Sequence, residues 1–266
     1  MAKNIPALEV CDVSYVGNGR TILDSINWTV RQGEHWAILG PNGSGKTTLL
    51  KLACGYIWPN AGGEIYRKGK LLTNLPELRK SIGWVTSTLG AEIPAREKVL
   101  RTVISGKFAQ LGYIEGFGGT ATRSDYGAAE KFLAQMGCGS LRDQEFGTLS
   151  QGEQQKVLIA RARMTKPYLI ILDEPCAGMD PGARENFLST LRELGRQREI
   201  PALIYVTHHV EEILLSLFRK TLILRGGKII HCGETSKVLR RDVLQELYGV
   251  PLTIRKKKGR HWPIVK

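Results

Sequence analysis

Eight residues near the start of the chain restrict its possible folds more than any other segment. Gly40-Pro41-Asn42-Gly43-Ser44-Gly45-Lys46-Thr47 matches the pattern G-x-x-x-x-G-K-[ST]. The apolar run 36–39 before it predicts a buried strand, and residues 46–54 after it predict a helix that Gly55 ends. A phosphate-binding loop requires both neighbours, so the sequence predicts an α/β fold with such a loop between a core strand and a helix.

The residue types in this loop suit a nucleoside triphosphate. Glycines let backbone N–H groups turn toward phosphate oxygens, and the helix N-terminus adds the positive end of its dipole. Lys46 would reach the β- and γ-phosphates, and the Thr47 hydroxyl would bind Mg²⁺. The predicted nucleotide-binding residues are Gly40, Pro41, Asn42, Gly43, Ser44, Gly45, Lys46, Thr47 and Thr48. The motif alone does not separate kinases, GTPases, helicases and transport ATPases.

Short β-branched runs alternate with segments of helical period along most of the 266 residues. This alternation predicts a P-loop NTPase core of the RecA-like type, with a mainly parallel sheet and an N-terminal antiparallel β region. Residues 88–147 contain predicted helices joined by the glycine-rich loop 116–119, so we expect an inserted helical subdomain there. Residues 235–248 are predicted to be helical. We assign residues 1–250 to one domain and residues 251–266 to a basic C-terminal tail.

The formal net charge is +13, and its densest part is Arg255-Lys256-Lys257-Lys258-Gly259-Arg260. Like charges at this density repel one another, which predicts a mobile, solvated tail. No segment approaches the roughly 18 apolar residues that span a bilayer, and the first residues lack the apolar run of a signal peptide. We therefore expect a cytoplasmic chain that reaches the inner face of the cell membrane only through a partner.

A second acidic motif follows the apolar run 169–172. Asp173 at the tip of this predicted strand could hold magnesium through water, and Glu174 could polarise the attacking water as a general base. The same residues could instead form only the polar turn that ends a strand. The presence of the phosphate loop in the same chain favours the catalytic interpretation.

The segment Leu149-Ser150-Gln151-Gly152-Glu153 precedes a long predicted helix. Ser150 and Glu153 have the spacing of a capping box, which stabilises a helix N-terminus. The same N-terminus, with the Ser150 hydroxyl and the Gly152 backbone, could also bind an anion that another subunit holds. The two interpretations are compatible.

Five motifs in the same order give the chain a resemblance to the ATP-binding-cassette (ABC) family over residues 8–240. They are GPNGSGKT at 40–47, LSQGE at 149–153, LIILDEP at 169–175, AGMD at 177–180 and VTHH at 206–209. In that family two nucleotide domains pair head to tail, with ATP between the phosphate loop of one and the LSQGE-type signature of the other. The resemblance thus implies an ATP-hydrolysing domain over residues 1–250 that works as a homodimer with integral-membrane permease subunits.

The resemblance also implies roles for individual residues. Thr47 and Asp173 would hold magnesium, and Glu174 would be the catalytic carboxylate. Ser150 and Gly152 would contact the γ-phosphate across the dimer, Asp180 would support that contact, and His208 would sense the γ-phosphate.

The sequence departs from the family pattern at three places. The signature is LSQGE where LSGGQ is commoner, although its Ser150 and Gly152 are kept. Ser87 occupies the position of a glutamine that usually reaches the metal, and a serine is too short to make that contact without a bridging water. Tyr15 is the nearest aromatic residue for an adenine platform, but it lies further from Leu23 than usual and could be an ordinary strand aromatic.

Residues 99–106, together with LSQGE and Ser87, resemble the subgroup associated with molybdate or iron-chelate uptake. This resemblance implies the ATPase subunit of an importer of a metal oxyanion or metal chelate. The positive charge suggests an alternative, a soluble ABC ATPase that acts on nucleic acid or ribosomes. The single cassette argues against that alternative, so nucleic acid is not the expected partner. A nucleotide kinase or GTPase would leave LSQGE and His208 without an explanation.

Overall fold

The computed structural model describes residues 5–72, 74–197 and 200–266. The chain forms two compact units, Met1–Arg79 with Ala202–Lys266, and Lys80–Pro201. The first unit is therefore built from both ends of the chain and the second from its middle. Among the helices of the described residues, none is both long and apolar enough to cross a bilayer.

The N-terminal part of the first unit is an antiparallel sheet followed by the phosphate-loop region. Its elements are β1 (Leu8–Gly17), β2 (Arg20–Val30), β3 (Trp36–Leu39), α1 (Lys46–Ala53), β4 (Glu64–Arg67) and α2 (Leu75–Lys80). β1 lies between β2 and β4 and is antiparallel to both, which confirms the predicted N-terminal β region. The buried Arg67 donates from Nε to the Ala53 carbonyl at 2.7 Å. It thereby places a positive charge at the C-terminus of α1, where the helix dipole favours it.

The second unit is mainly helical and has two strands. Its elements are β5 (Ile82–Thr86), α3 (Leu89–Glu92), α4 (Val99–Ser105), α5 (Arg123–Gln135), α6 (Gln151–Ala162), β6 (Leu169–Asp173) and α7 (Pro181–Leu194). β5 and β6 pair in parallel. α6 packs against α4, α5, α7 and β5, and its residues Val157, Leu158 and Ile159 are fully buried. α6 is therefore the central helix of this unit.

The C-terminal part of the first unit completes its parallel sheet. Its elements are β7 (Ala202–Thr207), β8 (Lys220–Arg225), β9 (Lys228–Glu234), α8 (Thr235–Val238), α9 (Arg241–Tyr248), β10 (Leu252–Lys257) and β11 (Arg260–Val265). β3 lies between β7 and β8 and is parallel to both. β9 pairs antiparallel with β8 across the turn at Gly226-Gly227.

The C-terminal segment differs from the sequence prediction in two ways. Residues 235–248 form two short helices because Arg240 has an extended backbone that separates α8 from α9. The expected mobile tail is a β-hairpin of β10 and β11. Lys258 and Gly259 both have positive φ, +50° and +69°, and this geometry closes a two-residue hairpin turn. Leu252 and His261 are buried, so apolar contacts hold the hairpin despite its charge.

The N-terminus of α5 gives a pH-dependent prediction. Thr122 and Asp125 form a capping box, and Lys107 Nζ lies 2.6 Å from Asp125 Oδ2. The hydrogen bond from Lys107 is the largest cause that lowers the pKa of Asp125 to about 2, and bonds from Thr122 add to it. A carboxylate with a lowered folded-state pKa stabilises the fold above its unfolded pKa and stops doing so as the pH falls toward the folded value.

Asp125→Asn is therefore expected to lower the free energy of unfolding by about 1 kcal/mol at neutral pH, the usual size of a lost helix cap on a solvated surface. The difference from wild type should shrink as the pH falls from about 5, where the unfolded carboxyl begins to take up a proton, to about 2, the pKa of Asp125 in the folded chain. Urea unfolding monitored by circular dichroism at several pH values measures the free-energy difference and its pH dependence. Asp143→Asn is the control, because Asp143 is 82% exposed and pairs with its neighbour Arg142 on the surface. A difference that is constant across this range would contradict the assignment.

Candidate functional site

The phosphate loop lies between β3 and α1 in the first unit, and its first glycine is enclosed by backbone. A Cβ atom at Gly40 would lie 2.3 Å from the Leu224 carbonyl oxygen of β8 and 2.7 Å from Ser44 Oγ. Only glycine fits there without moving the backbone. Gly45 caps α1 with a φ of +102° and has no capping side chain, so no side chain of the cap covers the N–H groups of the first turn. A phosphate group needs such accessible donors.

The side chain of Lys46 reaches back into the phosphate loop. Its ammonium donates to the Gly40 carbonyl at 2.8 Å and to the Pro41 carbonyl at 3.0 Å, and the residue is only 6% exposed. The hydroxyl of Ser44 is buried and has no hydrogen-bond partner among the described residues. A buried hydroxyl of this kind costs free energy until it meets a partner. The glycine cradle, the Ser44 hydroxyl and the start of α1 therefore suit phosphate oxygens.

The strand register places His208 at the same edge of the first unit as the loop. Leu39 pairs with Thr207 in the parallel strands β3 and β7, so Gly40 and His208 each follow directly. Thr207 Oγ1 donates to the buried carboxylate of Glu212 at 2.7 Å, and Tyr205 Oη donates to the same oxygen at 3.0 Å. This network holds the turn after β7, which contains His208.

A contact from the end of α9 also holds the backbone of His208. Tyr248 Oη donates to the His208 carbonyl at 3.1 Å. β11 packs against the single helical turn Val210–Glu212, and a cavity of about 220 Å³ between them is lined by His208, Leu252 and Val265 among others. Sequence reasoning missed Glu212 and Tyr248, and the 40 residues between Tyr248 and His208 left no local pattern to find that contact.

Tyr15 lies on β1 and pairs with Leu23 on β2. Leu23 touches the phosphate loop, since a Cβ atom at Gly45 would lie 2.7 Å from Leu23 Cδ2. Tyr15 is half-buried. The strand that pairs with Tyr15 therefore contacts the loop, and a role of the ring itself in adenine binding stays a prediction.

In the second unit the two acidic residues lie at one end of β5 and β6. Thr86 pairs with Asp173 in these parallel strands, so Ser87 and Glu174 each follow that pair. Glu174 has a φ of +49°, in the left-handed region. A non-glycine residue in that region costs of order 1–3 kcal/mol and is often found where a side chain must point in a set direction. The structure thus groups Ser87, Asp173 and Glu174, as their sequence positions predict.

The loop with Ser87 is attached to α6 through a residue that the sequence analysis did not select. Gln155 Nε2 donates to the Thr86 carbonyl at 3.2 Å, and Gln155 is 5% exposed. Ser87, Gln151 and Ala177 line one cavity of about 320 Å³ with Gln155. The sequence signal that could have identified Gln155 is its position on α6, shortly after the signature serine Ser150.

The signature segment begins α6 with the predicted capping box. Ser150 Oγ donates to Glu153 Oε2 at 2.7 Å, and the Ser150 backbone N–H donates to the same oxygen at 2.9 Å. The Ser150 hydroxyl bond, followed by the backbone bond, lowers the pKa of Glu153. The capping interpretation is confirmed. Ser150 is exposed, so the anion-binding interpretation stays a prediction that the cap does not block.

Asp180 lies beside the signature segment in the second unit. It caps α7 by accepting the N–H groups of Gly182 at 2.7 Å and Ala183 at 3.0 Å. A Cβ atom at Gly152 would lie 3.7 Å from Ala183 Cβ and 3.9 Å from Met179 Sδ. The start of α6 and the start of α7 are therefore neighbours, and Ser150, Gly152 and Asp180 lie in one region.

These features define a phosphate-loop ATPase, and comparison with known proteins gives its family. The ABC transporter family model matches residues 23–177. Over 253 residues the chain is 36% identical to the uncharacterized ABC transporter ATP-binding protein YlmA of Bacillus subtilis (strain 168), and the match covers 93% of this chain and 92% of YlmA. It is 31% identical over 252 residues to the phosphonates import ATP-binding protein PhnC of Cupriavidus pinatubonensis (strain JMP 134 / LMG 1197), with 91% and 88% covered.

A solved structure agrees over nearly the whole chain. It is described as a metal-chelate type ABC transporter in an inward-facing conformation, and it matches with a TM-score of 0.79 and 27% identity over 98% of both chains. The chain belongs to the ABC transporter family. It is the ATP-binding, ATP-hydrolysing subunit of a transporter that also has membrane components, and the predicted fold class is confirmed.

Proposed function

We propose that this subunit powers an importer of a metal oxyanion or a metal chelate by ATP-driven dimerisation at the inner face of the cell membrane. The observation that carries the proposal is the glycine cradle around Lys46, with the start of α1, where Gly45 offers no capping side chain, and with the Ser44 hydroxyl, which no described residue pairs with. These groups suit a triphosphate, and family membership makes the nucleotide ATP.

Each site residue has a role in the proposal. Residues 40–48 bind the phosphates, with Tyr15 beside adenine. Glu174, whose backbone is in the left-handed region, accepts a proton from the attacking water. Ser150 and Gly152 contact the γ-phosphate held by a second copy, and Asp180 supports that contact from the neighbouring helix start. His208 contacts the γ-phosphate from a turn that Glu212 and Tyr248 hold in place.

Magnesium is part of the proposed site, and its residues fit a hard cation. Thr47 and Asp173 offer a hydroxyl and a carboxylate, which are oxygen ligands of the kind that Mg²⁺ prefers. Ser87 would contribute through water, because it is exposed and its side chain is short. When bound, the ion neutralises charge on the phosphates.

The oligomeric step is tested with purified protein. A Glu174→Gln variant should shift from the 29.5 kDa chain mass to twice that mass when Mg-ATP is added, as measured by size-exclusion chromatography with light scattering. Ser150→Glu should prevent the shift, because a second carboxylate at the start of α6 would repel the γ-phosphate. A monomer under all conditions would contradict ATP-driven dimerisation.

The transport step is tested in cells that lack this chain. Uptake of molybdate, an iron chelate and a phosphonate should be compared with and without the restored chain. The resemblance of residues 99–106 and the metal-chelate type neighbour support one of the first two cargoes. Restored uptake of the phosphonate alone would replace the proposed cargo with that of the PhnC relative.

The exposed run Arg255–Lys258 on the C-terminal hairpin favours a second candidate function, action on nucleic acid. Four adjacent cations on an ordered strand and turn could contact a phosphate backbone. In that case Lys256→Glu with Lys257→Glu would abolish salt-sensitive RNA or DNA binding. Absence of such binding in the wild-type chain would leave transport as the function.

A further inference from the structure

One cavity of the second unit lies away from all the motifs above. It has a volume of about 870 Å³ and lies among α5, the turn Arg163–Thr165 that follows α6, and the residues Gln197, Ile200 and Pro201. Three of its lining residues are basic, namely Lys131, Arg163 and Lys166, and none of the described lining residues is acidic. A concave site with this charge attracts anions.

Arg163 provides the specific feature of this cavity. It is only 7% exposed, and the Cζ atom of its guanidinium lies over the Phe132 ring, 4.3 Å from the ring centroid. Its Nη1 atom is buried and has no hydrogen-bond partner among the described residues. Burial lowers the pKa of Arg163, yet an arginine stays charged at physiological pH.

The location of the Arg163 charge has a partial structural explanation. Arg163 is the C-cap of α6, and the negative end of the helix dipole stabilises a cation there. That dipole does not give Nη1 a hydrogen-bond acceptor. A buried charged donor without an acceptor is costly, so an anion in the cavity would stabilise the site.

Gln135 adds a second requirement for the ligand. Its Oε1 atom is also buried without a partner in the described parts of the chain, and Gln135 lines the same cavity. This oxygen needs a donor such as a hydroxyl or an amino group. Lys131 and Lys166 are exposed and add positive charge at the edge of the cavity. A volume of this size suits a small organic molecule.

We infer that this cavity binds a small organic phosphate that also carries a hydroxyl or amino donor, the chemistry of a sugar phosphate or a nucleoside monophosphate. The phosphate meets Arg163 Nη1 and the two lysines, and the donor meets Gln135 Oε1. The site lies at the opposite end of α6 from Ser150, about 18 Å along a helix of this length. It is therefore separate from the signature motif.

The test is isothermal titration calorimetry on the full chain, saturated with Mg²⁺ and a non-hydrolysable ATP analogue so that the phosphate loop does not contribute. The probes are glucose 6-phosphate, AMP and inorganic phosphate. We expect one of the two organic phosphates to bind at least tenfold more tightly than inorganic phosphate, and its identity shows the ligand class. Equal affinity for all three probes would overturn the need for a donor group.

Variants locate the binding. Arg163→Gln should weaken the organic phosphate at least tenfold, while Arg123→Gln, an exposed arginine on α5 outside the cavity, should leave it unchanged. Because a buried arginine can matter for folding, Lys131→Ala with Lys166→Ala provides a second variant at exposed positions, which should weaken binding severalfold and reduce its salt dependence. No binding to wild type, or binding that both variants retain, would overturn the inference.

Discussion

Replacing Glu174 by Gln is expected to lower ATP turnover by about 10²- to 10⁴-fold and to leave ATP binding intact, because glutamine keeps the shape but cannot accept a proton. Glutamine has the same size as glutamate, so we expect residue 174 to keep its left-handed backbone in this variant. Phosphate release measures turnover, and calorimetry with Mg-ATP measures binding.

The control for this variant is Glu193→Gln on α7, where the carboxylate pairs with Arg196 and is 60% exposed. Its turnover should equal that of wild type. If Glu174→Gln hydrolyses ATP at the wild-type rate, the general base is another residue.

Replacing Lys46 by Ala is expected to weaken ATP binding roughly 10- to 100-fold, which corresponds to the loss of a charged hydrogen bond to phosphate. The same change removes the donor that the Gly40 and Pro41 carbonyls share, so the loop should also lose stability. Calorimetry measures the affinity for ATP, and thermal unfolding without nucleotide measures the loss of stability.

Lys51→Ala provides the matched control, because Lys51 is an exposed lysine in the last turn of the same helix. It should change neither quantity appreciably. Unaltered ATP affinity in Lys46→Ala would mean that the loop does not bind the triphosphate through this side chain.

Sequence reasoning predicted the elements whose pattern is local. β3 has the predicted bounds, and α1 ends at Ala53, one residue before the predicted end. β3 is a short apolar run, and α1 begins in a glycine loop and stops before Gly55. In each case the local residue types leave few other conformations.

The C-terminal hairpin was missed because its local charge pattern indicated a tail, while its packing depends on distant parts of the chain. The cations 255–258 suggested a solvated tail, whereas Leu252 and His261 are buried by contacts that the sequence does not display. The turn also lacks the usual asparagine or aspartate, since Lys258 occupies the first left-handed position.

For the site, the motif residues could be selected from sequence because each motif joins a strand end to a turn or helix start. Their supporting contacts could not be selected in this way. Gln155 reaches Thr86 across 69 positions, and Tyr248 reaches His208 across 40. Such contacts depend on how elements pack, and a single sequence carries no signal for that packing.

The hairpin has a practical consequence for work on this protein. A reporter or affinity label fused after Lys266 would begin one residue beyond β11, the strand that packs against the turn following His208. A bulky group there would displace β11 and, through the turn Val210–Glu212, would disturb His208. Rate constants collected from such a fusion would describe an altered enzyme, so handles for purification or imaging belong elsewhere on the chain.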